Sequence, residues 1–312
     1  MKKIVKEILK ILIAVGLFYY LFKTKVPLDE VIQNIKNLNI MYFSIIIILF
    51  FIFYLTFSLR WNFLLKAQGI YISESRSYLY LLISFFFNNF LPSGLGMDLI
   101  RSAYAGEKEN FEKAFGASIM ERILGMIGMM IIGVFAIFSG KSEFIKLSIL
   151  YLGLILLTIL IYYFFTSLKV EWLKEKLISI RLFNLGKSIR EFYRAIKIYK
   201  SKKRTIIIGI AYSVLVQMII TLINYLIAKG LSIPVPLSAL LAFIPLITII
   251  SLIPLTINGL GLRETAYVYF FSSINIAASE AFSISIVYFV ISVITSSIGG
   301  IIFVFLKKPK KR

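Results

Sequence analysis

Arg263 and Glu264 stand side by side at the end of an apolar stretch, in the sequence Asn258-Gly-Leu-Gly-Leu-Arg-Glu. A guanidinium can hold a phosphate bidentately and keeps its charge in any surroundings. A neighbouring carboxylate either balances it or receives a cationic or hydroxylated group. The same order of residue types occurs upstream at Pro92, Gly94, Gly96, Asp98 and Arg101, followed by the adjacent Glu121 and Arg122. Asn89 precedes the first set, and Pro254, Asn258, Gly259 and Gly261 lead into the second. The chemistry on offer is recognition of a polar, anionic group. With no Cys and no His in the chain, thiolate metal sites, disulfides, Cys nucleophiles, His triads and zincin motifs are excluded. No metal or cofactor is expected, and no catalytic residue is assigned. Ser139-Gly-Lys-Ser142 faintly suggests a phosphate-binding loop, but Phe135 stands where its first glycine belongs.

The elements that carry these charges are greasy. Of 312 residues 59% are hydrophobic and 15% aromatic, and mean hydropathy is +0.90. Only 16% are charged, against about a quarter in soluble domains. Apolar runs near 4–22, 41–59, 78–91, 122–139, 147–166, 205–228, 238–257 and 282–305 approach or exceed the roughly 20 residues of a membrane-crossing helix. Continuous runs argue against a β-barrel, whose strands alternate. The fold class is therefore all-α, a polytopic helical membrane protein. The net charge of +20 needs no nucleic acid. With the N-terminus cytoplasmic and runs 78–91 and 238–257 not crossing fully, about 28 Lys and Arg fall inside and about 7 outside or within the membrane, as the positive-inside rule expects. The N-terminal run lacks a small-residue cleavage site and reads as an uncleaved span.

Run 78–91 is too short to cross about 30 Å upright, and run 238–257 carries Pro245 and Pro254 before Asn258-Gly259. Each leads through Gly-Leu-Gly to charge and then to a second short helical stretch, about 99–118 and 262–275. Irregular backbone at membrane depth persists only where protein or a wet cavity satisfies it. We read two re-entrant helical hairpins, 78–118 and 238–275, in an inverted-topology repeat, the arrangement that marks a transporter's central site. Residues 1–40 form a first span and an outer interfacial helix at 28–39. Residues 41–140 form the first repeat, 141–204 a linking span and a basic cytoplasmic amphipathic segment, and 205–312 the second repeat and a basic tail. In 167–204, Leu173, Leu177, Ile189, Phe192, Tyr193, Ile196 and Tyr199 recur at helical spacing opposite Lys and Arg. That segment is expected on the anionic inner leaflet.

Arg101, Arg122 and Arg263 are the expected phosphate contacts, with Asp98, Glu121 and Glu264 balancing them and Asn89 and Asn258 at the breaks. The charges of the two hairpins are expected to face each other in one cavity near the bilayer midplane. Simpler readings stand beside these. Glu121 and Arg122 can snorkel at a helix end, Arg263 and Glu264 can lock a hairpin as an internal pair, Asp98 can cap its helix, and the asparagines can satisfy hairpin backbone.

The segments Asn-Asn-Phe-Leu-Pro92-Ser-Gly-Leu-Gly-Met-Asp98-Leu-Ile-Arg101, Glu121-Arg122 and Pro254 through Glu264, in that order, resemble the membrane region of lysylphosphatidylglycerol synthase/flippase proteins over about residues 40–305. The resemblance implies movement of a polar-headed lipid between leaflets. Synthase members carry a soluble aminoacyl-transferase domain after the membrane part, and this sequence ends at Lys-Lys-Pro-Lys-Lys-Arg, so synthesis of the aminoacyl lipid is not expected. The expected ligand is an anionic phospholipid or a lipid-linked sugar. The protein partners open to the chain are a separate lipid-modifying enzyme and a second copy of itself. The expected location is the cell (plasma) membrane, multi-pass, with both termini cytoplasmic. Two other readings remain: a membrane-embedded transferase on a lipid-linked substrate, with Glu264 or Asp98 as base, and a non-transporting scaffold for a lipid-modifying enzyme.

Overall fold

A computed structural model describes residues 2–91, 96–107, 109–137, 142–167, 197–253 and 255–306. Pro92, Gly94, Pro254, most of the basic segment at 167–204 and the basic tail lie outside the described residues. So does most of Ser139-Gly-Lys-Ser142. The described residues are helical, with no strand among them.

The chain opens with α1 (Lys2–Thr24) and α2 (Leu28–Lys36), which meet at 92°. Pro27 starts α2, and Asp29 and Glu30 at its N-terminus and Lys36 at its C-terminus complement the helix dipole. Four helices follow: α3 (Ile40–Ala67), α4 (Glu74–Asn88), α5 (Gly96–Gly106) and α6 (Phe111–Ile137). Asn39 and Ser73 cap α3 and α4, their side chains accepting from Met41 N (2.9 Å) and Arg76 N (3.3 Å). Beyond α7 (Ser142–Ser167) come α8 (Lys203–Gly230), α9 (Leu237–Ser251), a 3-10 turn at Ile257–Gly259, α10 (Leu262–Ser272) and α11 (Ala278–Phe305). Helices α3, α6, α8 and α11 are long and apolar enough to cross a membrane.

Several helix limits differ from the sequence reading. Helix α3 continues through 60–67, so Arg60 belongs to the helix rather than to a cytoplasmic loop. Residues 111–118 belong to the long α6, not to the short second limb of the first hairpin. The polar residues Glu112, Lys113, Ser118 and Glu121 disguise that start as loop. Pro245 stays inside α9 and is buried, and just before it Tyr151 Oη of α7 donates to the Ala242 carbonyl at 2.6 Å, the kind of neighbouring donor that lets a membrane helix carry a proline.

Packing pairs the two sets of four helices. Helix α3 lies against α8; α4 packs on α11 as α9 packs on α6; α5 touches α4 and α6 as α10 touches α9 and α11. The contact of α3 with α6 has its counterpart in α8 with α11, and that of α6 with α8 in α11 with α3. Glu107 (φ 49°) ahead of α6 and Asn275 (φ 63°) ahead of α11 both have a positive φ. Two crossings depend on glycine. A Cβ at Gly299 of α11 would lie 2.0 Å from the Leu82 carbonyl oxygen of α4, and one at Gly128 of α6 would lie 2.8 Å from the Ser213 backbone of α8. Small residues let membrane helices approach this closely.

Candidate functional site

The charges singled out in the sequence fall into two clusters. The first joins α3, α5 and α6. Arg101 Nη2 meets Asp98 Oδ1 at 2.6 Å and Glu121 Oε2 at 2.5 Å. Arg60 donates through Nε to Glu121 Oε1 (3.0 Å) and through Nη1 to Ser213 Oγ (2.9 Å) on α8. Arg122 Nε pairs with the second oxygen of Asp98. Three guanidinium groups thus share two carboxylates. The Arg101 and Arg60 guanidiniums also lie over aromatic faces, 4.8 Å from the Trp61 ring centre and 4.5 Å from that of Phe57. Asp98 and Arg101 are fully buried and Glu121 is 1% exposed. Only Arg122, with a quarter of its side chain exposed, reaches outward. Glu121 is therefore no snorkelling interface residue, and Asp98 acts as an ion-pair partner. Burying such charges is tolerable only when they are paired. The cluster binds α3, α5 and α6 together and reaches α8 through Ser213, and little of it is open to a ligand.

The second cluster is built at the 3-10 turn and the start of α10. Asn258 adopts φ 50°, ψ 29°, a left-handed geometry that asparagine tolerates better than most residues. Gly259 and Gly261 follow with φ 72° and 84°, conformations natural to glycine. This break turns Glu264 back on its own helix start, where Oε2 accepts from Gly261 N at 2.6 Å. Glu264 Oε1 takes Arg263 Nη2 at 2.5 Å and Nε at 3.0 Å, with Ser285 of α11 at 3.3 Å. Arg263 lies over the Phe289 ring at 4.7 Å. The pair is internal, as one of the simpler readings had it. Yet Arg263 also lines a cavity, and among the described residues its Nη1 makes no hydrogen bond.

That cavity holds about 180 Å³ where α3, α4, α8, α9, α10 and α11 converge. Asparagines from both chain breaks meet in its wall. Asn88 Nδ2 donates to Asn258 Oδ1 (3.0 Å), Asn258 Nδ2 to Asn89 Oδ1 (3.3 Å), and Asn89 Nδ2 to Ser296 Oγ (2.9 Å). Tyr267 Oη donates to Asn224 Oδ1 at 2.5 Å, fixing a further amide in the wall. Phe50, Phe53, Tyr54, Phe85 and Tyr288 supply the aromatic side. A larger cavity of about 700 Å³ between α6, α7 and α8 is lined by residues such as Leu124, Ile127, Met130 and Ile159. Thr158, the one hydroxyl there, is bonded to Leu154 O. The larger space offers no polar chemistry, so the smaller is the candidate site.

The structure corrects one expectation outright. Arg263 and Glu264 bond to each other and to Ser285, while Asp98 bonds to Arg101 and Arg122. The two charged sets do not face each other; the asparagines make the contact between the breaks. Of the expected head-group residues, Arg263, Asn89 and Asn258 line the cavity, and Asp98, Arg101, Glu121, Arg122 and Glu264 do not. Arg60, Asn88, Asn224 and Ser296, which are not among the expected head-group residues, also carry bonds at the two sites. Arg60 carried a signal that was legible: an arginine followed at once by Trp61 and more apolar residues within a helix-length stretch.

Comparison with known proteins agrees with the membrane character. An UPF0104 membrane protein of Methanocaldococcus jannaschii is 28% identical over 159 residues, a match covering 48% of this chain and 47% of that protein. The matched segment thus spans about half of the relative's length. No solved structure matches the chain. The family model described as "Lysylphosphatidylglycerol synthase TM region" matches residues 8–300. This match extends across both charge clusters and the cavity between the chain breaks, and it makes the chain a multi-pass member of the lysylphosphatidylglycerol synthase transmembrane-region family.

Proposed function

We propose that the protein is a flippase-like transporter that moves a polar-headed lipid between leaflets without covalent chemistry, in the plasma membrane with both termini cytoplasmic. The observation that carries this reading is the cavity where Asn88 and Asn89 meet Asn258 and Arg263. A polar chamber inside an apolar helical body lowers a large barrier: one charge at the bilayer centre costs about 3 kcal/mol on insertion scales and more in simulation. Arg263 Nη1 is the donor for a phosphate oxygen, and Glu264 holds the guanidinium in place from behind. The tip-to-tip amide bonds are weak and exchangeable, so a head group can replace them without breaking an ion pair.

In this reading α4–α5 and α9–α10 are re-entrant hairpins entering from opposite sides, related as an inverted repeat. The pairwise correspondence of packing between the two sets of helices supports it. Accessibility labelling tests the topology. Residues 30 and 142 should react from outside and 187 from inside, and residues 94 and 259 from opposite sides; reaction of both tips from the cytoplasm alone would refute the repeat. Transport is tested in liposomes by following a labelled anionic phospholipid or glycolipid between leaflets. Arg263→Ala should bring exchange to background in folded protein, and Arg263→Lys should restore only part, because lysine keeps the charge and loses the fork. Wild-type exchange by folded Arg263→Ala protein would remove the site.

A further inference from the structure

The lining of the central cavity is selective in what it lacks as well as in what it offers. Among the described residues no Asp or Glu lines it. The carboxylate nearest in chemistry, Glu264, is fully buried and has both oxygens occupied, one by Arg263 and Ser285 and the other by Gly261 N. An ammonium entering this space would meet Arg263 and find no anion. A buried unpaired charge is among the most costly arrangements a protein can hold.

What the wall does offer is groups that both donate and accept. Asn88, Asn89 and Asn258 present amide atoms, and Thr248, Ser251 and Ser292 bring hydroxyls. Each of these hydroxyls donates to a carbonyl of its own helix, Thr248 to Ile244, Ser251 to Ile247 and Ser292 to Phe289, which leaves oxygen lone pairs to accept. Beside them in the lining are Phe53, Phe85 and Tyr288, and aromatic rings, whose faces carry the negative end of the quadrupole, suit weakly positive C–H groups. A ring of hydroxyls with a C–H face matches both parts of this lining. At about 30 Å³ of liquid per water, a cavity of 180 Å³ exchanges about six waters. It is smaller than the roughly 300–1,000 Å³ of drug-sized sites. Its volume is on the scale of one monosaccharide-sized unit.

Resting on the transport reading of this cavity, we infer that the head group is a single neutral sugar-like polyol linked through at most one phosphate, and not a cationic aminoacyl group. Arg263 Nη1 takes the phosphate oxygen, the amides and hydroxyls take the ring hydroxyls, and the aromatic side takes the C–H face.

Binding and transport are scored separately on the full-length protein. Saturable thermal stabilisation is measured with farnesyl-phosphate-linked glucose, glucosyl diacylglycerol, lysylphosphatidylglycerol and phosphatidylcholine. The two glucosyl lipids should bind about tenfold more tightly than the other two, a difference of about 1.4 kcal/mol. Asn89→Asp keeps the size and the Ser296 contact, since the serine can donate to the new carboxylate. It should shift preference toward the lysyl lipid by about the same tenfold factor. The inference is overturned if the lysyl or choline lipid binds the wild type as tightly as the glucosyl lipids, if neither glucosyl lipid binds, or if Asn89→Asp leaves the preference unchanged. Glucosyl lipid that binds but does not change leaflets in liposomes would instead overturn transport and leave the head-group class standing.

Discussion

The two charge clusters use the same chemistry in opposite ways. Around Glu121, three arginines and two carboxylates close on one another, stack on Trp61 and Phe57, and join α3, α5 and α6. Around Glu264 a single arginine is held by a single carboxylate, and its outer edge lines a cavity walled by asparagines and aromatic rings. Arg101 Nε and Nη1 are themselves buried and without a hydrogen-bond partner among the described residues, so a spare donor alone does not separate the two clusters; the first is closed, and the second borders a cavity. The number of charges at a site is therefore a poor guide to function here. What matters is whether a donor is left over in a space that a ligand can fill.

The largest effect that would break this contrast is expected at Glu121. Glu121→Ala strands Arg60 and Arg101 in a closed interior, and removing one partner of a buried pair costs about 3–5 kcal/mol. Thermal unfolding in detergent and the monodisperse yield should both fall sharply. An unchanged melting temperature would show that the cluster is no brace. Arg263→Ala should cost less, about 1–3 kcal/mol, because Glu264 keeps Gly261 N and Ser285 and cavity water can enter the vacated space. Its signature is lost leaflet exchange in protein that still melts cooperatively.

Two coupling measurements sharpen the comparison further. Asn88→Ala and Asn258→Ala should be non-additive in unfolding free energy by about 0.5–1 kcal/mol, because they remove the same tip-to-tip bond. Arg101→Lys and Arg263→Lys should add within about 0.5 kcal/mol, as independent sites do. Strong coupling between these two arginines would mean that the clusters work as one.

Much of this organisation was legible because lipid is an unforgiving solvent. Charges and Gly-Pro breaks inside apolar runs carry a large penalty unless they are satisfied, so Asp98, Arg101, Arg263 and Glu264 were conspicuous in the sequence. Their partners were not. The Arg60–Glu121 and Arg60–Ser213 bonds cross 61 and 153 residues of chain, and no local pattern reports a crossing of helices. Trp61 and the apolar residues after Arg60 place it inside a helix, but nothing in the sequence says which carboxylate it meets. Asn88 and Asn89 could be read as satisfying a helix end, and only the folded arrangement brings Asn258 against them. The start of α6 was hidden for a related reason. Glu112, Lys113 and Glu121 interrupt the hydropathy there, although Ala114, Ala117 and Met120 between them are buried.

The bond between the chain breaks also has a consequence for biosynthesis. Asn88 and Asn258 are 170 residues apart, and chains are made at about 5–20 residues per second. About 8–34 s therefore separate the emergence of the first tip from that of its partner. The brace around Glu121 draws on residues between Arg60 and Arg122, so its ion pairs can close early, while the ribosome is still working. The first tip has no such local partner and must pass that interval with its amides bonded to water or to other proteins of the membrane. The residues that later line the cavity are among those that wait for a distant partner, and the brace gives the unfinished half a fixed shape in which to wait.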